Sequence, residues 1–409
     1  MSVPHRHLLL AAICLGLPPA TGVVADTAHV PQPWREDAVV MGRDEAYNTE
    51  RFLHELTFRH RLSPPAATEE GIRGTAGSVG SDRLYYDFRF LRDFGFREDR
   101  NGFLLDIQRA EDLDGAYDRQ LIGFRQNLGD DSEIWLQGDV FSDKSQADVY
   151  FSARHHLTDN SWIHASWILP DAYFNDKTDT RDSVEQAPQT FFLQWHRQGT
   201  GTGAGTTLSL NLSPESRFIS RQEQLTVDSE SLRTAITHGQ RAGDWLLRLH
   251  LEGERTRRDY QLRGPEESGS TPFDREYLEA RVSATLTSHR LQPGIGLAYV
   301  HLDETGYFGR ALDDEGRIRR REPTLFGEIS LQAARNTTIS PGLYLSAPKV
   351  RQSFAEDDGR RHSGFTGKLA LPIEVQLPDT NQAVLTINPT FYLHKAAFGG
   401  GNLQLHWPL

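Results

Sequence analysis

The residues best placed to do chemistry in this chain recur at alternate positions along short segments. In SEIWLQGDV, Glu133, Gln137 and Asp139 stand opposite Ile134, Leu136 and Val140. In DVYFSARHHL, Asp148, Tyr150, Ser152, Arg154 and His156 stand opposite Val149, Phe151, Ala153 and Leu157. The same parity assigns Asp87, Arg89, His164, Arg233, Arg248, His250, Glu252, Glu279, Arg281, Glu328 and Lys368 to the polar faces of their segments. Fixed charges of both signs on one face can bind and screen ions or hydrophilic solutes. They can equally cross-link one another as ion pairs. The mixture of signs leaves both readings open, and it offers no purely basic ladder of the kind an anionic polymer would follow.

Covalent and metal chemistry find little support. His155 and His156 are adjacent, so in a strand they point to opposite faces and cannot share a metal. His164 and His196 are isolated in sequence. No GxSxG or HExxH motif is present. GTGTGAG at 199–205 has neither a helix pattern nor a lysine after it, so it reads as a turn. DLDG at 112–115 lacks the later ligands of a calcium loop and also reads as a turn. Cys14 is the only cysteine. The sequence therefore assigns no catalytic residue, no metal ligand and no cofactor.

The elements that must position the polar face are strands. Period two dominates from residue 51 to 409, and the segments number about eighteen, with sixteen as the alternative. In ERFLHELTFRHRL, taken as the first strand at 51–62, Phe52, Leu56, Phe58 and Leu62 share a face; in DRLYYDFRF, Leu84, Tyr86, Phe88 and Phe90 do. The long connections, 63–82, 170–187, 213–229, 258–274, 303–322 and 347–362, all fall at odd places in the series. Loops of one parity then lie at one end of the sheet and tight turns at the other. That asymmetry predicts an all-β chain folded as a transmembrane antiparallel β-barrel, its polar face lining the lumen. A soluble all-β domain has no reason to sort its loops this way.

Composition agrees. Apolar residues make up 37% of the 409, too few for a helical membrane protein, and no segment after residue 25 approaches the run of about 20 apolar residues that a spanning helix needs. The net charge of -12 disfavours nucleic acid as a partner. At the N-terminus, His5, Arg6 and His7 precede LLLAAICLGL and a stretch of small residues, which predicts a secretory signal over 1–25 cleaved after Ala25, with Ala28 as the alternative. Residues 26–50 show no strand pattern and read as a periplasmic extension; 51–409 form the barrel.

Signal, amphipathic strands, parity-sorted loops and the terminal segment NLQLHWPL together resemble the Gram-negative outer-membrane β-barrels of the porin or export-channel kind. The resemblance implies an outer-membrane location with both termini periplasmic. It implies outer-membrane lipid, lipopolysaccharide and the barrel assembly machinery as partners. It also implies a non-enzymatic channel passing small hydrophilic solutes or ions. The alternative is a structural barrel that sheaths or anchors a partner in an envelope complex, such as an electron-transfer conduit or a polymer exporter. Leu403, Leu405 and Trp407 would face lipid, and Gln404 and His406 the lumen, with the strand pairing to 51–62. Leu409 stands where such barrels carry an aromatic. Trp135, Trp162, Trp167, Trp195, Trp245, Tyr299 and Trp407 are expected in interface girdles, and a bulge is expected at Pro389, where the ladder loses a donor.

Overall fold

The computed structural model describes residues 70–409 except 80–82, 97–100, 112–115, 141–147, 170–181, 187–188, 202, 221–224, 264–267, 288–289, 308–314, 355–356, 379–382 and 394–395. The predicted signal, the 26–50 extension and the strand expected at 51–62 lie outside the described residues.

Eighteen strands form the wall. They are β1 (Gly71–Val79), β2 (Arg83–Phe96), β3 (Asn101–Glu111), β4 (Ala116–Asn127), β5 (Ser132–Asp139), β6 (Val149–Thr158) and β7 (Ser161–Leu169). Then come β8 (Asp182–Gln186 and Thr190–Gln198), β9 (Gly205–Ser220), β10 (Leu225–Ala242), β11 (Trp245–Arg263), β12 (Ser268–Leu286), β13 (Leu291–Tyr307) and β14 (Glu315–Ala334). β15 runs in three pieces (Thr337–Ile339, Gly342–Ser346, Lys349–Phe354), as does β16 (Asp357–Ser363, Thr366–Ala370, Ile373–Gln376), before β17 (Val384–Tyr392) and β18 (Ala397–Trp407). All three pieces of β15 pair with β14, and those of β16 with β15, so each set is one interrupted strand. Every neighbour is antiparallel. The wall closes where β18 pairs with β1, from Ile72 opposite Trp407 to Val79 opposite Gly400.

The closing partner corrects the sequence reading, which joined the terminal strand to 51–62. β1 lies within the stretch read as a long connection, because GIRGTAGSV has almost no apolar alternation. Its outward positions Gly74 and Ala76 are small, and the large outward side chains of Leu403, Leu405, Tyr86 and Phe88 opposite them supply the apolar surface instead. Leu409 lies beyond the last paired residue, Trp407.

The long connections are corrected too. β9 to β14 are 16 to 20 residues long, whereas a barrel strand needs roughly 9–11 to cross a bilayer. The excess lies at the rim opposite the start of β1 and the end of β18, here the far rim, and it consumes most of 213–229, 258–274 and 303–322. These stretches carry polar residues on both faces, since neither face there packs against an apolar phase, and the alternation that marks a strand disappears. Gly306 permits the overhang to pair closely: at φ 114° its missing Cβ would otherwise overlap the carbonyl oxygen of Pro272.

Parity separates two surfaces. The exterior exposes Phe88, Phe124, Leu136, Phe151, Trp167, Leu297, Leu325 and Leu403 among other large apolar side chains, while the alternating positions are buried and rich in charge. Water outside would make such an exterior untenable; acyl chains make it stable. Pro389 sits in register opposite Gly401, and the irregularity in the β17–β18 ladder falls one step on, between Thr390 and Phe391. On its other side, Leu371 donates to the Pro389 carbonyl, and the return bond is the one proline cannot make.

Candidate functional site: the inner face of the barrel

The inner face is built from the same alternation, and its side chains gather into several clusters. On β2, β3, β4 and β6, Arg89 makes a two-pronged contact with Asp106, both at 2.9 Å. Arg119 donates to Asp106 Oδ2, which it shares with Arg89, at 3.1 Å, to Gln108 at 3.0 Å and to the Tyr150 hydroxyl at 3.1 Å. Tyr150 in turn donates to Asp148 at 3.2 Å, and Gln108 reaches Asp87 at 3.4 Å. Asp106 has no solvent exposure, so this is a desolvated network in which each group depends on its partners.

Nearer the terminal rim, Arg154 pairs with Glu133 at 3.2 Å and lies between the rings of Trp135 and Trp162, 5.3 and 5.0 Å from their centres. Stacked guanidinium and aromatic planes of this kind are attractive when shielded from water. Trp162 stacks on His196 at 5.2 Å. His164 packs between Trp135 and Phe192, each 5.8 Å away, and shares a 2.7 Å hydrogen bond with Ser166. Arg125 pairs with Asp93 beside this group.

The remaining clusters lie on the opposite wall. Arg233 donates to Glu252 at 3.0 Å, with His250 at 3.8 Å from the same carboxylate. Arg281 pairs with Glu279, which also accepts from Tyr277; Arg275 lies between Glu304 at 3.4 Å and Glu254 at 3.8 Å; Arg320 pairs with Glu322. Lys368 lies 4.6 Å over the Tyr392 ring. Arg248 and Glu328 share this face from β11 and β14, and Asp139 shares it at the end of β5.

Each residue singled out by parity therefore stands on the inner face, and the structure brings together Glu133 with Arg154, Arg233 with Glu252, and Glu279 with Arg281. Asp106 and Gln108 were missed because GFLLDIQR carries apolar residues on both faces, and Arg119 because YDRQLIGFRQNL does the same; the register that sets Arg89 opposite Gln108 and Leu91 opposite Asp106 assigns the first two to the inner face. Glu304, Arg320 and Glu322 lie in the stretch 303–322 read as a loop, and Arg275 directly follows the one at 258–274. Two girdle assignments are corrected: Trp135, 5% exposed, and Trp162 face inward, while Trp167, 40% exposed, Trp245 and Tyr299 face outward. Aromatics near strand ends occur on either face, so end position alone does not orient them. Among the described residues no group of three His, Cys, Asp or Glu could hold a metal ion.

Outside the belt, at the far rim, Asp303 accepts from Arg317 and Arg319. Partial burial pushes its carboxyl up, but the hydrogen bonds and charges of the two arginines together outweigh that and hold it below the usual range.

A closed antiparallel barrel with an apolar exterior and a charged interior satisfies every backbone group within the wall and presents hydrocarbon to hydrocarbon. Those two faces define a transmembrane β-barrel of the outer-membrane type. No protein-family model and no curated protein matches the chain. Solved structures similar to it include Pseudomonas aeruginosa OccK2 (OpdF), at 14% identity over 83% of this chain and 97% of that one, TM-score 0.43. P. aeruginosa OpdK with vanillate is similar at 11% identity, 83% and 96% coverage, TM-score 0.44. P. aeruginosa OccD3 (OpdP) is similar at 13% identity, 86% and 97% coverage, TM-score 0.41.

Proposed function

We propose that the chain is an outer-membrane channel that passes small hydrophilic solutes or ions through a mixed-charge lumen, with no covalent chemistry. One observation carries this reading: along the apolar belt of an eighteen-stranded closed wall, charges of both signs keep to the inner face. A circular barrel of about 16–18 strands is wide enough to leave an aqueous passage beyond its side chains. Buried polar atoms of Gln137, Asn388 and His164 Nδ1 on this face have no protein hydrogen-bond partner, which supports water or solute within reach of them. Asp87, Arg89, Glu133, Asp139, Arg154, His164, Arg233, Arg248, Glu252, Glu279, Arg281, Glu328 and Lys368 are the proposed lining. Because most arginines there are paired with carboxylates, the selectivity expected is weak in sign. The start of β1 and the end of β18 share one rim, which on this reading is periplasmic, and β18, with Leu403, Leu405 and Trp407, is the strand offered to the assembly machinery.

A second reading has its own observation. Val300, Leu302, Ile318 and Val350 are apolar, buried and on the inner face toward the far rim, where an open aqueous pore would wet them. They suit a barrel that sheaths or anchors a partner in an envelope complex. Purified, folded protein in planar bilayers separates the two: the channel predicts stepwise conductance, and a folded barrel that stays silent across salts and voltages would transfer the assignment to the sheath.

A further inference from the structure

Above the apolar belt, the outer surface of β14 and β15 turns cationic. Arg317, Arg319 and Arg321 alternate with the buried Ile318 and Arg320, so they face outward; Lys349 and Arg351 flank the buried Val350 and do the same. Register sets Arg319 directly opposite Arg351, and Arg321 opposite Lys349. Like charges facing each other across a ladder repel. Asp303 compensates Arg317 at 2.8 Å and Arg319 at 2.9 Å. Among the described residues, no carboxylate pairs with Arg321, Lys349 or Arg351. In a chain whose net charge is -12, this concentration of exposed cations runs against composition.

The second feature lies one outward position below. Tyr299 and Pro323 are two residues from His301 and Arg321, and with Leu325, Leu345, Ala347 and Phe365 they line an apolar groove of about 480 Å³ on the barrel exterior. The groove is large enough to seat part of an acyl chain running along the wall. Directly above its upper end stand the three cations.

We propose that this composite surface holds a phosphorylated lipid, with an acyl chain in the groove and a headgroup phosphate bridging Arg321, Lys349 and Arg351. A phosphate converts the repulsive cross-strand pairs into charge-assisted contacts, and the arginine forks match its oxygens two at a time. The height of the cations, at the upper edge of the belt, is where a headgroup lies when acyl chains cover the belt. The assignment deepens the outer-membrane reading above and rests on its placing of the far rim at the outer leaflet. The phosphate is that of a lipid and not a free ion, because the groove and the cations form one continuous surface.

Native mass spectrometry of the full chain in detergent tests this, with bisphosphorylated lipid A as the probe. The expected result is one retained lipid A per barrel, weakened roughly 100-fold in the triple variant R321Q/K349Q/R351Q, since surface cations contribute about a factor of five each. Dephosphorylated lipid A should bind the wild type no better than the triple variant binds lipid A. Ala347→Trp, which fills the groove and leaves the charges, should also lose the lipid; heat-modifiable gel mobility confirms that each variant is folded. Equal retention by wild type and triple variant would overturn the proposal, as would complete displacement by millimolar inorganic phosphate. Bilayer conductance should be unchanged in these variants, so loss of lipid binding and failure of the channel reading are distinguishable.

Discussion

At the scale of single residues, Asp106 governs the inner face of β2 to β4. It bonds both Arg89 and Arg119, so Asp106→Ala takes a buried carboxylate partner from two guanidinium groups at once. Breaking a buried pair by removing one partner costs about 3–5 kcal/mol, whereas exchanging a whole cluster for apolar residues of like volume is close to neutral. Asp106→Ala should accordingly lower the unfolding temperature of the detergent-solubilised barrel, and the triple replacement R89M/D106L/R119M should recover much of the loss. An Asp106→Ala barrel as heat-stable as the wild type would remove the network from any structural account. Parity made Asp87, Arg89, Asp148 and Tyr150 of this network legible in advance, since wherever one face is apolar the other is fixed by a period of two, but it left Asp106, Gln108 and Arg119 unread. It could not reveal which charges meet, because contact depends on register across strands, and register is set by turns and closure that no single segment encodes.

Among the elements, the strands of the membrane belt were legible and their extensions were not. β10 to β14 read as strands only where lipid demands an apolar face; beyond it the polar stretches 216–220 and 225–229 still pair with each other, as do 258–263 with 268–273. The long loops expected there are mostly ladder. β1 escaped for a related reason, since its small outward residues are covered by their neighbours. Closure demands smallness on the inward side of β1 as well: a Cβ on Gly77 would come within 2.6 Å of the Gly401 carbonyl oxygen and 2.9 Å of Asn402 Cβ on β18. Gly77→Val should therefore loosen the seam, by about 1–3 kcal/mol for overpacking of this kind. The gel mobility shift should occur at a lower temperature than for a Val placed at Gly138, whose Cβ position meets nothing within 4 Å. If the two variants unfold together, the seam is not where crowding limits the wall.

For the molecule as a whole, the number of strands and the sorting of faces followed from sequence, while the closing pair did not. Residues 26–50, read as a periplasmic extension, give a direct measurement of how far the wall alone accounts for the pore: a chain lacking them should conduct as the full chain does, and a rise in conductance would instead place that segment within the passage. The wall itself is not uniform. β11 pairs with β12 through all nineteen of its residues without a shift, but Pro323, Pro341, Pro372 and Pro389 each accept one bond, from Ala347, Ile329, Ser340 and Leu371, and return none. Four half-bonded pairs gather between β14 and β17, a line of perforation denser than Pro272 and Pro293 make among the long strands. Under lateral load the barrel should tear along that line first, so that membrane tension or a pulling force releases its C-terminal hairpins while the long-stranded side still holds.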